Sequence, residues 1–150
     1  RPLARRGRDD AARIGAFLTG QKLVPDLILC SPARRTRETL DLLLPALAGP
    51  APKIVFDDGL YLAAPSTILA RVRKAKPKAR HIMAIGHNPG IQALALDLVG
   101  HAERADIVAL GTKFPTAGLA AIEFDVESWT RVRPTEGRLR LFTTPKRLAG

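Results

Sequence analysis

The stretch LILCSPARRTRETL, residues 27–40, decides the fold because it joins a short apolar strand to an amphipathic helix. Leu27 to Cys30 are apolar and predict the strand, and the helix is predicted from Ala33 to about Ala48. Ser31 is a suitable N-cap, and Pro32 fits the first helical position, where its missing N–H costs no hydrogen bond. The stretch therefore predicts a strand that runs directly into a helix N-terminus.

A second stretch, IMAIGHNPG at residues 82–90, has the same organisation. Residues 82–85 predict a strand, Gly86 and His87 a turn, Asn88 a helix cap, and Pro89 the first residue of the next helix. The apolar residues that follow recur at helical spacing as far as Val99. Two strand-to-helix turns of this kind belong to the same edge of a sheet, the one at the carboxyl ends of its strands.

The remaining elements alternate in the same way through the first two thirds of the chain. Helices are predicted from about Arg8 to Leu18 and from Ser66 to Ala75, the second capped by Ser66, and strands at Lys53–Phe56, Gly118–Asp125 and Arg138–Thr143. Such alternation predicts an α/β fold, with a mostly parallel sheet covered by helices on both faces. Neither a linker nor a repeat divides the chain, so we expect a single domain over residues 1–150.

Composition excludes several classes of protein. The chain has 150 residues, of which 46% are hydrophobic, enough for a packed core without a stabilising metal. One cysteine rules out a disulfide framework, and three histidines without metal-ligand spacing lead us to expect neither a metal nor another cofactor. No apolar run is long enough for a membrane span, so we expect no membrane partner. The formal charge of +10 points to anionic ligands.

The two strand-to-helix turns also predict where those ligands bind. In open α/β sheets ligands lie beyond the carboxyl ends of the strands, where helix N-termini attract anions. One turn provides His87 and the other provides Arg34 and Arg35. Arg35 shares a helical row with Thr39 toward the packed side, whereas Arg34 is in a row with Glu38 and is interpreted, like Arg37, as part of a solvated face. We therefore predict phosphate binding by Arg35 and His87, although a histidine in such a turn can equally serve the structure alone.

Two other features have simpler interpretations than a site. Cys30 is followed by Thr36 where a cysteine phosphatase would have its arginine, so we interpret it as a buried strand thiol. A basic cluster can be a nucleic-acid footprint or a solvated helix end, and we favour the second because no aromatic residue is interleaved with it. The cluster consists of Arg71, Arg73, Lys74, Lys76, Lys78 and Arg80.

Several blocks of the sequence, taken in order, resemble the histidine phosphatase superfamily, and most closely its short SixA-type phosphohistidine phosphatases. The resemblance covers essentially the whole chain. The blocks are Arg1-Pro2-Leu3 with Arg6-Gly7, then Ser31-Pro32-Ala33-Arg34-Arg35-Thr36-Arg37-Glu38-Thr39, Gly86-His87-Asn88-Pro89-Gly90, Phe114-Pro115-Thr116-Ala117-Gly118 and Pro145-Lys146-Arg147-Leu148.

This resemblance implies a phosphoglycerate mutase-like three-layer α/β/α sandwich with two histidines and two arginines in the site. Arg35 matches the second arginine and His87 the second histidine, with Ser31 and Asn88 as further candidates for phosphate binding. The nucleophilic histidine belongs to an Arg-His-Gly or Arg-His-Ala motif after the first strand, and the sequence lacks that motif. We expect the strand and its histidine to lie upstream of Arg1, the alternative being a chain that truly lacks them.

The function implied is that of a phosphohistidine phosphatase, which acts on phosphorylated protein histidine through a covalent phosphohistidine intermediate. The alternatives are a small-molecule phosphomonoesterase of the same fold and a catalytically inactive module that binds phosphate or nucleic acid. Asp57 and Asp58 are the candidates for a general acid, if one exists. We expect a cytoplasmic bacterial protein whose partner is a phosphorylated protein or a small phosphorylated substrate, and we expect no nucleic-acid partner.

Overall fold

A computed structural model describes residues 5–149 of the chain. Within that range the helices and strands alternate along most of the chain, with short 3₁₀ turns at Leu44–Ala46, Asp58–Leu60 and Trp129–Arg131. In chain order the elements are α1 (Arg5–Gly20), β1 (Leu27–Cys30), α2 (Arg34–Leu43), β2 (Lys53–Phe56), α3 (Pro65–Arg73), β3 (Ile82–Ile85), α4 (Gly90–Leu98), β4 (Val99–His101), α5 (Arg104–Thr112), β5 (Leu119–Glu123), β6 (Gly137–Thr143) and α6 (Pro145–Ala149).

The strands form two three-stranded sheets. The first has the order β2-β1-β3 and is entirely parallel, with Cys30 paired to Phe56 on one side and to Ile85 on the other. The second has the order β4-β6-β5, in which β4 is parallel and β5 antiparallel to β6. The mostly parallel α/β fold predicted from the sequence is confirmed.

Side chains along β1 alternate between the two faces of the first sheet, so helices pack on both faces. Ile28 and Cys30 point to one face of the sheet and pack with Leu40 of α2. Leu29 points to the other face and packs in a cluster with Leu69 of α3 and Leu94 of α4. Because both faces of this strand are covered by helices, β1 is apolar throughout, as buried parallel strands are.

Helix α1 fixes the position of α2. The two helices approach closely at Gly15, where an added Cβ would lie 2.5 Å from the carbonyl oxygen of Leu43 and 2.9 Å from Cβ of Ala46. A residue with no side chain is therefore needed at this crossing. The contact holds the carboxyl-terminal end of the helix whose first turn carries Arg35.

A cavity of about 1210 Å³, which we call the β3–β5 slot, separates the two sheets. Strand β3 is the last strand of the first sheet and β5 the last of the second, so among residues 5–149 neither has a strand partner on the side facing the slot. Ile14 of α1 and Thr39 of α2 line the slot, as do Leu94 and Leu98 of α4. The sheet is thus interrupted between two strands whose faces are covered.

The three strands at residues 27–30, 53–56 and 82–85 have the predicted bounds. The predicted helix caps Ser31, Ser66 and Asn88 are wrong. Helix α2 begins at Arg34, α3 at Pro65 and α4 at Gly90, and none has a side-chain cap at its N-terminus. Ser31 and Asn88 form other hydrogen bonds, described below, and Ser66 lies inside α3.

Other element bounds also differ from the prediction. Helix α2 continues only as a 3₁₀ turn through Ala46, because Pro45 cannot donate the next helical hydrogen bond. Helix α1 is longer than predicted, α4 ends at Leu98, and the last two strands are Leu119–Glu123 and Gly137–Thr143. Strand β4 and helices α5 and α6 were not predicted from the sequence.

Candidate active site

The two strand-to-helix turns meet at the carboxyl edge of the first sheet. Because β1 and β3 are parallel neighbours, the residues that follow them lie side by side, and the backbone N–H of Ser31 donates to the carbonyl of Ile85 at 3.0 Å. The Ser31 hydroxyl lies 2.8 Å from Nε2 of His87 and is itself fully buried, with 0% of the residue exposed. This bond fixes the orientation of the imidazole, in either tautomer.

Arg35 stands in the first turn of α2, next to His87. Its Nη2 donates to Oγ1 of Thr116 at 2.9 Å. The pKa of His87 lies below its ordinary value of 6.5, first because burial disfavours the charged imidazolium and second because the Arg35 charge repels it. The site therefore combines a permanent cation with an imidazole that is neutral at pH 7.

The loop before β5 closes the site from the second sheet. Nδ2 of Asn88 donates to the carbonyl oxygen of Phe114 at 2.7 Å, two residues before the contact of Thr116 with Arg35. Ala117 adopts φ 59°, a left-handed conformation that turns the chain into β5. Arg35, His87, Asn88 and Thr116 all line the same end of the β3–β5 slot.

Tyr61 contacts the histidine from another side. Its ring meets the imidazole of His87 edge to face, with centroids 5.3 Å apart and planes at 76°. Neither Tyr61 nor a role for Thr116 was predicted from the sequence. Thr116 does lie in the block Phe114–Gly118 that carries the resemblance, which is the one signal that pointed to this loop.

The candidate acid Asp57 belongs to a different cluster. Its Oδ2 accepts a hydrogen bond from Nε of Arg71 at 2.6 Å, and its Oδ1 accepts one from the backbone N–H of Gly59 at 2.8 Å. Burial alone would raise the pKa of Asp57, but these two donors and the Arg71 charge outweigh it and lower the pKa below its ordinary value. Asp57 is thus ionised at neutral pH and poorly suited to donate a proton.

Cys30 and Arg34 have the surroundings that the sequence predicts. The Cys30 thiol is buried, donates to the carbonyl of Thr36 at 3.7 Å, and has its pKa raised to about 11, chiefly by burial. Arg34 is exposed and pairs with Glu38 at 3.1 Å. The guanidinium of Arg37 lies over the ring of Phe56 at 4.8 Å. The thiol is therefore unreactive, and the two arginines beside Arg35 serve the helix surface.

Part of the basic cluster has structural roles. Arg71 is paired with Asp57, and Nε of Arg73 donates to the carbonyl of Val132 at 2.9 Å. The only Arg-His pair of the sequence, Arg80-His81, lies before β3 rather than after a strand, and its backbone N–H groups donate to Asp26. Across residues 5–149 no group of histidine, cysteine and carboxylate side chains could hold a metal ion, and no helix is long and apolar enough to cross a bilayer.

Comparison with known proteins identifies the class to which this fold and site belong. No family model matches the chain. An uncharacterised protein of Mycobacterium tuberculosis is 31% identical over 148 residues, which cover 97% of this chain and 90% of that protein. A solved structure from Nakamurella multipartitia, assigned as the phosphohistidine phosphatase SixA, has a TM-score of 0.84 at 25% identity and covers 97% of this chain and 85% of its own.

A second structure, from Agrobacterium tumefaciens and likewise assigned as SixA, has a TM-score of 0.78 at 30% identity, with 96% of this chain and 83% of that chain covered. The phosphoglycerate mutase-like fold implied by the resemblance is confirmed. The chain therefore belongs to the histidine phosphatase superfamily and, within it, to the SixA family.

Proposed function

We propose that the protein is a phosphohistidine phosphatase that removes the phosphoryl group from phosphorylated protein histidine through a covalent phosphohistidine intermediate. The observation that carries this proposal is the meeting of Arg35 and His87 at the carboxyl edge of the sheet, at one end of the β3–β5 slot. A guanidinium binds the oxygens of a phosphoryl group in a fork, and an imidazole beside it can donate or accept a proton. The family assignment supports the same chemistry.

The nucleophile in this proposal is a histidine of an Arg-His segment upstream of Arg1, in one domain with residues 1–150. The β3–β5 slot supports this placement, since a strand inserted there would find a free edge on either side and helices over both faces. If such a strand runs parallel to β3, its carboxyl end emerges beside His87 and Arg35. That is where a nucleophile has to be to reach a phosphoryl group held by these side chains.

The reaction proceeds in two displacements. A nitrogen of the nucleophilic histidine attacks phosphorus, the N–P bond of the substrate breaks, and the departing imidazole takes up a proton from water. Water then attacks the phosphoenzyme, releasing inorganic phosphate and restoring the histidine. Arg35 binds the equatorial oxygens in both steps and offsets their charge.

His87, Ser31 and Asn88 complete the proposed phosphate site. When Nε2 of a neutral His87 accepts from the Ser31 hydroxyl, the ring carries its N–H at Nδ1 and can donate a hydrogen bond to a phosphoryl oxygen, while the buried hydroxyl holds the ring in place. Asn88 is exposed at the mouth of the site and anchors the loop at Phe114. An imidazole needs less help to depart than an alkoxide does, which agrees with the ionised state of Asp57.

The setting is part of the same proposal. The substrate is a phosphorylated protein, the reaction needs no cofactor, and the enzyme works in the cytoplasm of a bacterium. The mycobacterial relatives support the bacterial origin.

The test compares Arg35→Ala and His87→Ala in the complete protein with Arg34→Ala, which removes the neighbouring exposed arginine. Loss of either site residue should lower kcat/KM for a histidine-phosphorylated protein about 100-fold or more, as removal of a charge-stabilising donor does. Arg34→Ala should change it less than about 2-fold, as expected for an exposed ion pair. Full activity of the His87 variant would contradict the proposal, and a preference for sugar phosphates would favour the phosphomonoesterase. The intact mass of the purified protein reports whether an upstream segment is present.

A further inference from the structure

An exposed apolar turn stands beside the candidate site. Tyr61 and Leu62, which we call the Tyr61–Leu62 rim, follow the buried Leu60 and are 57% and 61% exposed. Tyr61 contacts His87, and Leu62 lines the same cavity as Arg35 and His87. Two large apolar side chains thus meet solvent next to a polar site.

The backbone conformation of Leu62 is a second sign that this residue serves more than the fold. Its φ is 48°, in the left-handed region, where a Cβ is unfavourable and where glycine or asparagine is the usual residue. A leucine at this position gains little from burial, because most of its side chain is in solvent. Folding alone would therefore favour a different residue here, and strain of this kind concentrates at functional sites.

The turn is held firmly in place despite its exposure. Leu60 is only 2% exposed and anchors the turn in the core. On the other side, a Cβ at Gly90 would collide with the carbonyl oxygen of Ala63, so the turn packs directly against the first residue of α4. The side chains of Tyr61 and Leu62 consequently have a defined position relative to His87, as a binding surface requires.

We propose that the Tyr61–Leu62 rim selects protein substrates by binding an apolar side chain next to the phosphorylated residue. The proposal rests on the phosphatase function proposed above and names the substrate feature that the site recognises. Charge complementarity explains why an anionic partner approaches, since the chain carries a formal charge of +10. A small phosphorylated compound held by Arg35 and His87 would leave the rim in water, whereas a polypeptide extends past the phosphoryl group and covers it.

The experiment uses the complete protein and two substrates, a histidine-phosphorylated protein and phosphoramidate, which has an N–P bond and no apolar group. Leu62→Asn and Leu62→Gly both suit the left-handed backbone, so thermal unfolding should occur at the same or a higher temperature. Each should raise KM for the phosphoprotein at least 5-fold with little change in kcat, and leave kcat/KM for phosphoramidate within 2-fold. Val108→Asn is the matched control, because Val108 is 55% exposed on α5 and does not line the cavity.

Three results would overturn the proposal. An unchanged KM for the phosphoprotein in both Leu62 variants would refute the rim and leave the phosphatase function standing. Equal losses on both substrates would mean that Leu62 acts on the phosphoryl site rather than on protein recognition. A wild-type protein that hydrolyses phosphoramidate but not the phosphoprotein would refute the proposed protein substrate, and the rim with it.

Discussion

Replacing Thr116 with valine removes the hydroxyl that receives the Arg35 guanidinium and leaves the volume nearly unchanged. The bond is 2.9 Å long, which is good geometry, and one partner is charged. It is also exposed to solvent, so its net contribution is about 0.5–1 kcal/mol, in the range of exposed polar pairs rather than buried ones. Since RT is about 0.59 kcal/mol, the guanidinium should lose orientation enough to reduce kcat/KM about 2–5-fold.

The assay is steady-state hydrolysis of phosphoramidate, with vanadate inhibition as an independent measure of oxyanion binding. Thr116→Ser keeps the hydroxyl and should retain wild-type values, and Thr112→Val removes a hydroxyl that bonds only within α5 and should also be silent. Equal losses in the serine and valine variants would refute the reasoning, because the serine retains the acceptor. A loss far above 5-fold in the valine variant would place Thr116 in direct contact with the phosphoryl group instead.

Three further predictions concern the histidine and the crossing of α1 with α2, the helix that carries Arg35. Arg35→Gln removes a nearby positive charge and should raise the pKa of His87, measured by NMR titration of the His87 ring. Because the pKa of His87 is lower in the folded protein than the ordinary 6.5, the stability it contributes is complete above pH 6.5 and is lost as the pH falls below 6.5 through the lower pKa of the folded protein. His87→Gln should flatten this dependence in urea unfolding. Gly15→Ala should cost about 2 kcal/mol, since overpacking against the backbone oxygen of Leu43 costs about 3 kcal/mol, the upper end of its range, and helix propensity returns about 1 kcal/mol. Gly20→Ala is the control, because a Cβ added at Gly20 would meet no atom within 4 Å, and it should be neutral or slightly stabilising. A Gly15→Ala variant as stable as the wild type would contradict the close crossing of α1 and α2.

The strands of the first sheet could be predicted from local sequence because each is a short apolar run that ends in a turn signal. The bounds of β1 and β3 agree with the structure to the residue. Helix α5 could not be predicted in this way, since Leu110 is its one buried residue among those described and no apolar stripe forms. Strand β4 has three residues and pairs with β6, which lies far along the chain.

The candidate site could be proposed from the sequence only where its residues lie in the two turns. Arg35 and His87 were proposed because both turns lie at the carboxyl edge of the sheet. The hydrogen-bond partners of these two side chains depend on tertiary contacts that the local sequence pattern does not encode. Thr116 is 81 residues from Arg35, and Ser31 is 56 residues from His87. Ser31 and Asn88 were expected to cap helices because their side chains usually do so, but the tertiary fold gives both a stronger partner.

The buried Cys30 makes the central strand observable without engineering. It is the sole thiol of the chain, and with its pKa raised to about 11 it cannot react while β1 is packed. Modification by a thiol reagent must therefore wait for an opening of the sheet around Cys30, and under conditions where closing outpaces labelling the rate measures the free energy of that opening. A ligand bound at Arg35 and His87 would slow the labelling in proportion to its occupancy. The labelling rate of the Cys30 sulfur therefore measures both the opening of the core and the fraction of sites that hold ligand.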